Sequence, residues 1–87
     1  MKITVAKPTA AEAEAMAVYP IWEKEASTFD WEYDEAETCL LIEGEVAVTT
    51  EDGERIEFAA GDLVVFPKGL KCVWDIRRPV RKHYRLG

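Results

Sequence analysis

At 87 residues the chain has room for one small domain, and 48% apolar residues with three Trp, three Tyr and three Phe suit a packed core and not a disordered tail. A net charge of −6 argues against nucleic acid, whose phosphate backbone requires a basic face, so no nucleic-acid partner is expected. No apolar run approaches the ~20 residues that span a bilayer, and Lys7 and Pro8 interrupt the opening segment before it can form a signal-peptide core, so no membrane partner is expected and the expected compartment is cytoplasmic.

Residues 2–6 alternate and predict a first strand. Thr9 and Glu12 form a T-x-x-E capping box that opens an alanine-rich helix reaching Val18, and Pro20 stops it. Beyond Pro20 the apolar period switches to two. Strands are predicted over residues 21–25, 29–33, 37–43, 45–50, 55–59, 63–67, 71–77 and 80–86. Turn residues separate them: Gly44, the Asp52-Gly53 pair, Gly61-Asp62 and Pro67-Lys68-Gly69. Many short strands at this spacing predict an all-β sandwich or barrel. No internal repeat, linker or low-complexity segment divides the chain, so residues 1–87 read as one domain.

Residues 61–72 carry the most specific signal. Gly61, Pro67 and Gly69 stand in register with the second cupin motif, G-x5-P-x-G-x2-H-x3-N, while Cys72 and Ile76 replace its histidine and asparagine. Upstream, Glu37 and Gly44 keep the E-x6-G spacing of the first cupin motif, but Trp31 and Tyr33 stand at its two histidines and Glu25 at its leading glycine. The chain thus resembles the small single-domain cupins, over roughly residues 20–86. Residues 20–23 and 81–84 add a likeness to the subgroup of ethanolamine-utilisation and ureidoglycine-aminohydrolase-like proteins, many of which have no assigned activity. The resemblance implies an all-β cupin jelly-roll barrel with a short N-terminal helix, and a homodimer.

The resemblance also maps the family's metal quartet onto Trp31, Tyr33, Glu37 and Cys72. That set is poor in ligands: Trp offers no lone pair, Tyr ligates mainly ferric iron, and one Glu with one Cys falls short of the three protein ligands usual in catalytic metal sites. The lone His83 on the last strand is a further candidate, more simply read as structural. No metal and no cofactor are expected.

If Glu37 faces inward, strand alternation carries Cys39 and Leu41 with it, puts Cys72, Trp74 and Ile76 on one face, and Phe29, Trp31 and Tyr33 on another. Glu37 then reads either as a paired structural carboxylate or as the polar anchor of an aromatic cavity. Burial without a partner would raise its pKa, as in general acids and bases. Tyr33 is its expected hydrogen-bonding neighbour. Cys72 reads either as a small apolar filler or as a reactive thiol, the latter needing a cation such as Lys82 to lower its pKa. Trp31 and Trp74 are expected as cavity walls, Trp22 and Phe66 as core or lining. Lys24, Lys82 and Tyr84 are rim candidates by the subgroup resemblance. Cys39 and Cys72 lack zinc-like spacing and are expected as free thiols. Twelve Glu with no Asn or Gln is a composition associated with heat stability.

The expected function is a metal-independent small-molecule-binding domain, or an enzyme of unassigned reaction, centred on Glu37. Glu37, Cys72 and Tyr33 are its candidate catalytic residues. A metal-dependent cupin enzyme acting on a small polar metabolite, and a structural or regulatory interaction domain, are the alternatives.

Overall fold

The computed structural model describes residues 1–87. In chain order it contains β1 (Thr4–Ala6), α1 (Ala10–Met16), β2 (Ile21–Lys24), β3 (Ser27–Glu32), β4 (Glu37–Thr50), β5 (Arg55–Ala59), β6 (Leu63–Phe66) and β7 (Lys71–Leu86). The capping box closes as expected: the Thr9 hydroxyl accepts from the Glu12 amide at 3.1 Å, and the Glu12 carboxylate accepts from the Thr9 amide at 2.9 Å. The helix ends at Met16, short of Val18.

Four expected strands merge into two. Residues 37–43 and 45–50 form the single strand β4, and residues 71–77 and 80–86 form β7. The two long strands pair antiparallel with each other, from Glu37 opposite Leu86 to Thr50 opposite Cys72. Their register shifts between Leu41 and Val46, so the pair bends there instead of ending. Gly44 sits at the bend with φ +121°, and a Cβ on it would meet Val80 Cγ2 at 2.9 Å and the Pro79 carbonyl at 3.0 Å. Glycine thus lets one strand cross the other at the corner, and Pro79, which cannot donate to a ladder, occupies the bulged stretch opposite.

Each half of the long pair gathers its own neighbours. The first half of β4 pairs with β6, which pairs with β1, while the second half of β7 pairs with β2. The second half of β4 pairs with β5, and the first half of β7 with β3. The result is one seven-stranded sheet folded over at its corner, with all pairings antiparallel. This is the all-β jelly roll with one short helix that the sequence predicts.

The two inner faces meet around aromatic rings. Trp74 lies 5.5 Å from Phe58 and 5.7 Å from Phe66, ring centre to ring centre, with Val48, Val64 and Leu41 filling the gaps. Alternation along β4 buries Glu37, Cys39 and Leu41, and along β7 it buries Cys72, Trp74, Ile76, Val80 and Lys82. The outer face carries inter-strand ion pairs, among them Arg78–Glu45, and Arg81 with both Glu23 and Glu43. No helix is long and apolar enough to cross a membrane.

Candidate functional site

At one end the faces leave a cavity of about 240 Å³. Its walls are Trp22 from β2, Phe29 and Trp31 from β3, Trp74 and Tyr84 from β7, with Leu86 at the edge. Glu37, Lys82 and Tyr33 line the same space, so polar groups stand beside the apolar walls.

Glu37 and Lys82 form a buried ion pair, Nζ to Oε2 2.8 Å, with the two side chains only 9% and 6% exposed. The pairing follows from register, because the inward Glu37 and Lys82 lie on adjacent paired strands with Cys39 between them on the β4 face. The Cys39 thiol donates to the same carboxylate oxygen at 2.8 Å, and Lys82 Nζ lies 3.3 Å from its sulfur. Burial, opposed by Lys82 and reinforced by Glu37, pushes the Cys39 thiol up to about 12, so it stays protonated and donates. The Lys82 ammonium also rests 4.8 Å from the ring centres of both Trp22 and Trp74. Two indole faces and a carboxylate together replace the water that a buried lysine loses.

Tyr33 is fixed by backbone and side chain alike. Its amide donates to the Leu70 carbonyl at 2.9 Å and its carbonyl accepts from the Gly69 amide at 2.7 Å, so the Pro67-Lys68-Gly69 turn holds it in place. Its ring stacks on Phe66 with centres 4.6 Å apart, and its hydroxyl accepts from Trp74 Nε1 at 3.2 Å. Burial, with the Glu37 charge adding to it, raises the phenol far above the ordinary tyrosine range, which keeps it a neutral donor.

Two oxygen positions differ in their partners. Glu37 Oε2 takes both the lysine and the thiol, whereas Oε1 has no partner in the protein. Every fully buried side-chain oxygen or nitrogen has a partner, so the unpartnered Oε1 keeps some accessible surface, and Glu37 lines the cavity. The Tyr33 hydroxyl proton and the third Lys82 N–H likewise have no protein acceptor. Glu37, Lys82 and Tyr33 thus leave an acceptor and donors without protein partners beside aromatic walls.

Several expected site residues are placed differently. Lys82 is no rim residue: it shares the inward face of β7 with Val80 and forms the polar floor. Lys24 lies outside the lining, its ammonium 5.5 Å from the Phe29 ring centre. Cys72 is not part of the lining of the Glu37 cavity and borders a larger, open groove of about 460 Å³ with Trp31, Lys71 and several acidic side chains. Lys82 does not reach it, and burial alone raises its thiol to about 11, the opposite of activation. The larger groove therefore lacks activated chemistry, and the smaller cavity is the candidate site. His83 points away from it, Nδ1 lying 2.8 Å from the Tyr19 carbonyl oxygen.

The positions matching the cupin metal quartet do not fit a metal. Glu37 is neutralised by an internal cation, Tyr33 is a neutral phenol bonded to Trp74, Cys72 lies elsewhere and Trp31 has no donor atom. No three His, Cys, Asp or Glu side chains converge anywhere in the chain. Motif spacing and alternation point to Glu37, Tyr33 and the aromatic walls but miss Lys82 as their centre. The signal is nonetheless present in the sequence, since Lys82 is in step with Val80 and Tyr84.

Residues 11–84 match the family of EutQ-like cupin domains. A DUF861 family protein from Thermotoga maritima superposes with a TM-score of 0.96 at 51% identity, over 99% of this chain and 100% of that one. The EutQ protein of Clostridium difficile superposes at 0.69 with 26% identity, over 76% of this chain and 52% of that one. A DUF861 family protein of unknown function from Pseudomonas syringae gives 0.70 and 28%, over 77% of this chain but 29% of its own length. No curated protein matches.

Proposed function

This chain belongs to the EutQ-like cupin domain family, and on that frame we propose that it binds a small uncharged molecule in the Glu37–Lys82 cavity without a metal. The observation that carries the reading is the Glu37 carboxylate, its Oε1 without a protein partner, in the lining of an aromatic cavity together with Lys82 and Tyr33. Taken alone, the sequence favours an amine or an amide as the group that satisfies Glu37. The cation at Glu37 comes from within the protein, which shifts the preference to neutral groups carrying both a donor and an acceptor, such as carboxamides or hydroxy ketones. The rings cover the rest of the ligand.

The same reading makes the protein cytoplasmic and a homodimer. The free thiols of Cys39 and Cys72 support a reducing compartment, and the small core of a domain this size supports self-association, which light scattering measures directly.

Thermal shift with a panel of small amides, alcohols and ketones tests the function. Glu37→Gln alone would strand a buried lysine, so the comparison protein is Glu37→Gln/Lys82→Met, which removes both charges. Stabilisation of the wild type and loss of it in the double variant is expected. Equal stabilisation of both proteins, or none of either, would make the pair structural and favour the interaction-domain alternative.

A further inference from the structure

Resting on that reading of the cavity, we propose a catalytic activity for it: proton transfer at the carbon next to the carbonyl of a small, uncharged ketone or aldehyde with an apolar body. The base is Glu37 Oε1. The electrophile that holds the carbonyl oxygen is the third N–H of Lys82, assisted by the Tyr33 hydroxyl.

The geometry sets base and electrophile side by side. Lys82 Nζ and Glu37 Oε2 are 2.8 Å apart, and the other oxygen of the same carboxylate, in a residue that lines the cavity, has no protein partner and is not wholly buried. A carbonyl compound presents the complementary pair on neighbouring atoms, an oxygen that accepts and an α-hydrogen that leaves. Cys39 fixes the orientation of the carboxylate through Oε2 without adding charge, since its thiol stays protonated. The Trp22 and Trp74 faces hold the ammonium in place. Aromatic walls lower the local dielectric, so a charge developing on the substrate oxygen meets fixed donors where they are more effective than in water.

The step balances without an added reagent. The α-C–H bond breaks, its proton goes to Glu37 Oε1, and its electron pair forms the C=C bond of an enolate. The carbonyl π pair moves to oxygen, where Lys82 and Tyr33 hold it. Once solvent has replaced the proton on Glu37, a deuteron delivered to the same carbon completes hydrogen exchange; in an α-hydroxy carbonyl, delivery to the former carbonyl carbon, with the hydroxyl proton passing to the enolate oxygen, isomerises it. Lys82 acts as an ammonium throughout and forms no bond to carbon.

Deuterium exchange tests this. Cyclohexanone, phenylacetone and hydroxyacetone are incubated with the protein in D2O, α-proton loss is followed by NMR, and binding is read on the same samples by saturation transfer. We expect at least one probe to exchange faster than in the protein-free control by a factor on the order of 10². Tyr33→Phe should slow exchange while retaining binding, and Glu37→Gln/Lys82→Met should abolish exchange. Binding without accelerated exchange would overturn the proton-transfer role and leave the binding reading intact. Absence of both binding and exchange would sink the two together. Exchange that survives in the double variant, or a borohydride-stabilised probe adduct on Lys82, would also overturn the roles of Glu37 as base and Lys82 as electrophile.

Discussion

The Lys82 ammonium lies 2.8 Å from the Glu37 carboxylate with both side chains largely buried. A pair of this kind is asymmetric in its energetics. Removing one partner leaves an uncompensated buried charge and costs roughly 3–5 kcal/mol, whereas replacing both by apolar or neutral groups is often close to neutral. Lys82→Met and Glu37→Gln should each lower stability by that amount. The double variant should recover most of the loss, giving a coupling energy of about 2 kcal/mol or more by urea unfolding. Additive losses would mean that the two charges are solvated independently.

Both thiols should be slow. Cys39 is wholly inaccessible and pushed up to about 12, Cys72 is 6% exposed and raised to about 11, both chiefly by burial. Ellman titration of the native protein at neutral pH should show neither reacting within minutes, and both reacting in denaturant. Prompt native labelling of Cys72 would reinstate it as a candidate nucleophile.

Gly44→Ala should be costly and Gly53→Ala mild. Both glycines have positive φ, +121° and +86°, but a Cβ at Gly44 meets Val80 Cγ2 at 2.9 Å, while at Gly53 nothing lies within 4 Å. Backbone strain alone predicts about 1 kcal/mol at Gly53, and the added clash at the corner brings Gly44 to roughly 2–4 kcal/mol. Thermal unfolding of the two variants side by side reads the difference.

Asp62 should give the acid limb of stability one of its components. Partial burial works against its charged form, but the Lys7 ammonium at 2.7 Å and the Ala59 amide at 2.9 Å prevail and hold its carboxyl below the ordinary aspartate value. A depressed carboxylate stabilises the fold above its unfolded pKa and loses that contribution as pH falls through its folded one. Asp62→Asn should therefore cost about 0.5–1 kcal/mol at pH 7, with the gap closing below about pH 4. Chemical unfolding at the two pH values measures it; a gap that persists at low pH would assign the effect to shape and not charge.

The parts of this molecule written in local chemistry are legible in its sequence. The Thr9–Glu12 box, the Asp52-Gly53 turn and the Gly61 to Gly69 motif each act over a few residues, and each stands where the sequence places it. The merging of strands at Gly44 and Pro79 is not legible, because a glycine or proline that bends a strand looks the same in sequence as one that ends it. That ambiguity hides the site. Treating residues 71–77 and 80–86 as separate strands breaks the alternation that carries Trp74 and Lys82 onto one inward face, so Lys82 reads as a rim residue or a neighbour of Cys72. Its true neighbours, Glu37 and Cys39, lie more than forty positions away, and only the register of the two long strands brings them together.

With its one carboxylate already neutralised by its one ammonium, the cavity should select neutral ligands. Titration calorimetry with benzamide, benzamidine and benzoate, one shape carrying zero, positive and negative charge, tests this most directly. A second charge has no free counter-charge in the cavity and must be desolvated without compensation. Benzamide should bind, and about tenfold or more tighter than either ion, a difference of at least about 1.4 kcal/mol. Tightest binding of benzamidine would mean that Glu37 acts as an unneutralised anion, tightest binding of benzoate that Lys82 acts as a free cation, and either result would contradict a neutral cavity.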